Sequence, residues 1–112
     1  MKIKEGVVVE GIAPQAAYAI GIAQLCYHEY GATLVVTSVR DGKHGERSLH
    51  PSGLAFDCRT RNLSPHTVSG IVQDMKFHLD PLGYDVVLEH DPPHIHVEYD
   101  KKGDEDWIQT IP

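Results

Sequence analysis

Apolar positions recur at helical spacing in two stretches of the chain and form short, β-branched runs elsewhere, which predicts helices alternating with strands. Residues 2–9 read as a short strand or extended arm. Ala13-Pro14 then opens a helix with proline in its first turn, and Ala16, Ala17, Ala19, Ile20, Ala23, Leu25 and Cys26 supply a broad apolar face as far as about Tyr30. Gly31 is a natural stop. Residues 32–39 are too short an apolar run for a helix and rich in β-branched side chains, so they predict a buried strand. Residues 41–47 are polar and carry two glycines, the composition of a surface loop.

A second strand is expected over residues 54–60. Ser64-Pro65 is an N-cap followed by proline at the first helical position, and Val68, Ile71, Val72, Met75 and Leu79 continue at helical spacing. Gly83 closes that segment, residues 84–89 predict a third, central strand, and Asp91-Pro92-Pro93 turns the chain into a final strand from His94 to about Tyr99. The last two strands should pair as a hairpin. Residues 100–106 read as a solvated acidic end, with Trp107 and Ile108 able to dock back on the domain. The expected fold is a single α+β domain over residues 1–112, a small, mostly antiparallel sheet with two main helices.

Composition narrows the function. At 112 residues, with 41% apolar and 23% charged side chains, the chain has the make-up of one globular domain. A net charge of −6 without a Lys/Arg cluster argues against nucleic acid as partner. No apolar run approaches a membrane span, and the first residues lead into no signal-like segment, so the expectation is a protein made in the cytoplasm with no membrane partner. Cys26 and Cys58 form no Cys-x-x-Cys knuckle and are expected to be reduced and buried.

Histidine changes the picture. There are eight, and His90, His94 and His96 fall close together. Alternation along a strand puts His94 and His96 on one face and Ile95 and Val97 on the other, so the core is served without the imidazoles. His50 and Asp57 stand on either side of Pro51-Ser52-Gly53, where a tight turn would bring them to one point. A hydrolytic zinc site needs three protein ligands and one open position. His50, Asp57 and a histidine of the His94/His96 pair meet that requirement.

Ser48-Leu49-His50-Pro51-Ser52-Gly53-Leu54-Ala55-Phe56-Asp57 fits Ser-x-His-x-x-Gly-x-Ala-x-Asp at every defined position. In this the chain resembles the D-alanyl-D-alanine metallopeptidase family, which includes zinc D,D-carboxypeptidases, dipeptidases and phage L-alanyl-D-glutamate endolysins. The resemblance implies the hedgehog/D,D-peptidase fold, Zn2+ on His50 and Asp57, and a later carboxylate followed three residues on by the third ligand. Asp91-Pro92-Pro93-His94 has that spacing, making Asp91 the catalytic base and His94 the ligand, with Glu89 the alternative base. His96 and Ser48 would then serve the substrate or orient a neighbouring group. Thr37-Ser38-Val39-Arg40 looks like the family's Ser-Gly-Tyr-Arg segment, which nominates Arg40, with Arg47 as competitor, to hold a substrate carboxylate or oxyanion. The implied function is zinc-dependent hydrolysis of a peptide bond in peptidoglycan stem peptides, of endolysin or carboxypeptidase type, and for an endolysin release from the cell interior to the wall. The competing expectation is a zinc-binding or structural phage module without catalysis.

Overall fold

The computed structural model of the chain describes residues 1–40 and 52–100. Strands β1 (Lys2–Ile3), β2 (Val35–Ser38), β3 (Ala55–Arg59), β4 (Tyr84–Glu89) and β5 (His94–Tyr99) alternate with helices α1 (Pro14–Glu29) and α2 (Pro65–Leu79), and a 3-10 turn, Asp80–Leu82, follows α2. The fold is α+β, with two helices and one five-stranded sheet in the order β1-β2-β3-β5-β4. Only the β1/β2 pair is parallel.

Local chemistry explains the helix ends. Pro14 and Pro65 each open a helix with φ already set, and the Ser64 hydroxyl accepts the Thr67 N–H at 3.1 Å. Gly31 takes a left-handed φ of +69° just beyond α1, where a side chain would be strained. α1 buries Ala16, Ala19, Ala23, Cys26 and Tyr27, a narrower stripe than the expected face: Leu25 is 62% exposed. Both helices pack on the side of the sheet that carries Val36, Phe56, Cys58, Val86, Ile95 and Val97.

Two expectations change. Residues 2–9 contribute only a two-residue strand, which ends at a turn closed by the Val7 N–H on the Lys4 carbonyl with Gly6 at φ +88°, after which the Val8 carbonyl accepts the Arg40 N–H just beyond β2. β4 is an edge strand rather than a central one: β5 runs back between β3 and β4, pairing antiparallel with both. The hairpin is formed as expected, and it places the final strand, with its histidines, at the centre of the sheet's antiparallel half. No helix among the described residues is long and apolar enough to cross a membrane.

Candidate metal and peptidase centre

β5 buries Ile95 and Val97 against the helices and therefore turns His94 and His96 to the opposite face. β3 alternates in the same way, with Phe56 and Cys58 in the core and Asp57 and Arg59 on the histidine face. The antiparallel register sets Asp57 directly opposite His96, and Arg59 opposite His94. On the other flank β4 sets Glu89 opposite His94 and Val87 opposite His96. Residues 39 positions apart in the chain thus meet side by side, with Asp57 Oδ1 2.9 Å from His96 Nδ1.

Each imidazole is oriented by its second nitrogen. His94 Nδ1 donates to the Pro92 carbonyl at 2.7 Å, an assignment forced by a partner that can only accept. His94 Nε2 then faces Glu89 Oε1 at 3.0 Å and Asp57 Oδ1 at 3.9 Å. His96 lies between two carboxylates, Asp57 at Nδ1 and Glu98 at Nε2, the latter at 2.7 Å. Burial lowers the His96 pKa, but hydrogen bonds to Asp57 and Glu98, with the charges of Asp57 and Glu89, outweigh it and bring the value to about 9. The ring is held as an imidazolium unless another cation takes over the charge between it and Asp57.

The Pro92-Pro93 turn is anchored to β3, since the Thr60 hydroxyl donates to the Pro93 carbonyl at 3.1 Å. Asp91 sits in this turn, exposed and with φ +67°, while Glu89 is the carboxylate that reaches His94. Arg40 Nη1 donates to the Glu10 carbonyl at 2.9 Å, and Arg40 is not among the described residues that line the cleft onto which Asp57 and His94 open. Among the described residues the arginines on its rim are Arg59 and Arg61, neither of which belongs to the motif. The strand alternation that places Asp57 and His94 on one face could have found Arg59. His50, Ser48 and Arg47 lie outside the described residues, as do Trp107 and Ile108.

Among the described residues no group of three or more His, Cys, Asp or Glu side chains is arranged to hold a metal ion. The described part of the expected set is a pair, Asp57 with one imidazole, donor types that zinc accepts but one short of the three a hydrolytic site needs. Ligands about 2.0–2.1 Å from one tetrahedral zinc stand about 3.3 Å apart; the 2.9 Å from Asp57 to His96 is shorter, a hydrogen-bond distance, and the 3.9 Å to His94 is longer. In His96 an Nε2–H donated to Glu98 would leave the Nδ1 lone pair toward Asp57, the carboxylate-backed imidazole common at zinc sites. The cysteines contribute nothing here: both are free and buried, and Cys58 faces the core, where burial pushes its thiol far above the ordinary range.

Compared with known proteins, the chain matches no protein-family model, no curated protein and no solved structure.

Proposed function

We propose that the protein is a zinc-dependent peptidase acting on peptidoglycan stem peptides, with a fold of the hedgehog/D,D-peptidase kind. The observation that carries this reading is the convergence of the motif's Asp57 with His96, His94 and Glu89 on one face of the sheet, centred on a 2.9 Å Asp57–His96 contact. Asp57 and His96 would hold the ion together with His50. This assigns the third ligand to His96 instead of His94, because His96 is opposite Asp57, is only 9% exposed and is backed by Glu98.

Zinc, when bound, would supply Lewis-acid polarisation of the scissile carbonyl and a more acidic water. The chain's own residues do the rest. Glu89 Oε1, beside His94 Nε2 and open to solvent, takes a proton from the attacking water and delivers it to the leaving amine. His94, its ring fixed by the Pro92 carbonyl, steadies that carboxylate and borders the larger cleft, where a peptide would lie. Asp91 is the alternative base, three residues before His94.

The test pairs zinc content with product masses after incubation with defined stem peptides. About one zinc per chain and a cleaved peptide bond are expected, with both lost in His50→Ala. Zinc without hydrolysis of any wall peptide would replace the enzyme with a zinc-binding or structural phage module. Unchanged zinc in His50→Ala would remove the motif from the metal site.

A further inference from the structure

Asp57 and His94 open onto a cleft of about 890 Å3, which runs beside the Pro92-Pro93 turn to α2. Its charge is opposite to that of the molecule. The chain carries a net −6, yet the described lining has Lys4, Arg59, Arg61 and Lys76 against a single carboxylate, Asp57. None of the four cations makes an ion pair among the described residues. The neighbouring cleft of about 400 Å3, bordered by His96, shows the reverse balance, with Asp80, Asp85, Glu89, Glu98 and Asp100 against Lys76. The two clefts thus differ in the sign of their described lining, which draws an anionic arm into the first and repels it from the second.

The wall of the larger cleft is apolar where it meets α2 and β4, with Leu63, Val68, Val72, Leu88 and Pro93. At its Asp57 end an irregularity in the β2/β3 register brings Ser38 opposite Asp57. The Ser38 hydroxyl is buried and has no hydrogen-bond partner among the described residues, an unused polar group in the lining of a cationic cleft. Arg59 is set by β3 two residues from Asp57 on the same face, and Arg61 follows just beyond the strand. A guanidinium binds a carboxylate through two parallel N–H donors, which suits these positions to a carboxylate more than to a diffuse charge.

We propose that this cleft is the substrate-specificity site, taking a peptide segment in which a side-chain carboxylate lies next to an apolar residue. Arg59 and Arg61 hold the carboxylate, and the Leu63-Val68-Val72 wall takes the apolar group. That the ligand is a peptide rests on the peptidase reading; that it is anionic rests on the cleft alone.

The experiment titrates the isotope-labelled full chain with N-acetyl-alanyl-glutamyl-leucine amide and with its glutaminyl counterpart, following amide shifts. The glutamyl peptide should bind about tenfold more tightly. Arg59→Gln should remove most of that preference, Arg61→Gln part of it, and neither should move the melting temperature or the affinity for the glutaminyl peptide. Equal affinity for the two peptides, no binding of either at millimolar concentration, or a preference surviving in the Arg59→Gln/Arg61→Gln double variant would overturn the inference. Stem-peptide hydrolysis is measured separately. Its absence alongside an arginine-dependent glutamyl preference would sink the peptidase reading and leave the cleft's specificity standing.

Discussion

The two faces of β3 and β5 are built from alternate residues of the same short segments, yet they differ in almost every physical respect. On one face Phe56, Cys58, Ile95 and Val97 are fully buried against two helices. On the other, Asp57, His94, His96 and Glu98 crowd charges and imidazoles together, all of them partly open to water. The first face holds stability and little chemistry; the second holds chemistry that charge repulsion alone would scatter. Because one residue in two serves each purpose, the core fixes the strands and the strands fix the site. Asp57 meets His96 because Phe56 and Val97 are locked in register beside them.

The comparison breaks most sharply at Phe56. Phe56→Ala empties a fully buried ring position, and the loss of transfer energy plus the cavity should cost about 3–5 kcal/mol. Denaturant unfolding of the metal-free protein checks this. A loss below about 1 kcal/mol would mean that the helix-covered face does not carry the fold.

Next comes Gly53, where the motif and the core meet. Its φ is +75°, and a Cβ there would stand 2.6 Å from the Gly11 carbonyl oxygen, a backbone atom that cannot swing aside. The Gly53 carbonyl also accepts the Ala13 N–H at 2.9 Å, so this position joins the chain before α1 to the start of β3. Gly53→Ala should cost about 2 kcal/mol, roughly 1–2 from the left-handed backbone and the rest from displacing residues 11–13. A thermal melt within about 3 °C of the parent would show that the junction yields easily.

Smaller again is the cap of α2. The Ser64 hydroxyl accepts the Thr67 N–H, and Ser64→Ala should lower stability by about 1 kcal/mol with no change in zinc content. An effect on zinc would mean that α2 reaches the site by more than its share of the core.

How far all this could be read from the sequence depends on the range of the interaction. Both helix starts were legible because Pro14 and Ser64-Pro65 act on their own turns, and Gly31 ends α1 by the same local logic. The pairing of Asp57 with a histidine of the last strand was anticipated from motif and alternation. Which of His94 and His96 stands opposite Asp57 depends on the β3/β5 register, a long-range property to which a pattern repeating every two residues is blind. The placing of β5 inside β4 was hidden for the same reason, since a hairpin looks identical from either edge. Glu89 was set behind Asp91 by counting residues to His94. At the turn Asp91 leaves the strand at φ +67°, while Glu89 stays opposite His94 in the ladder. Likeness to a motif nominates Arg40, whose Nη1 donates to the Glu10 carbonyl in the structure.

The smallest expected change in stability falls on the chemical face, and it sharpens the comparison most. Asp57→Asn keeps an oxygen that can accept from His96 Nδ1 at the same place, so above about pH 9, where His96 no longer carries the charge that Asp57 holds, unfolding of the metal-free protein should shift by at most about 1 kcal/mol. Zinc content should nevertheless collapse, because a neutral amide replaces the anionic ligand. Within that background the two histidines separate the possible ligand sets. His96→Ala removes the imidazole opposite Asp57 and should lose zinc and hydrolysis together. His94→Ala should keep most of its zinc while hydrolysis falls, since it takes away the ring that steadies Glu89 and borders the larger cleft. Both follow from one ordering of contacts, 2.9 Å from Asp57 to His96 against 3.9 Å to His94. Zinc lost only in His94→Ala would reverse that ordering, return the third ligand to His94 and restore Asp91, three residues before it, as the base.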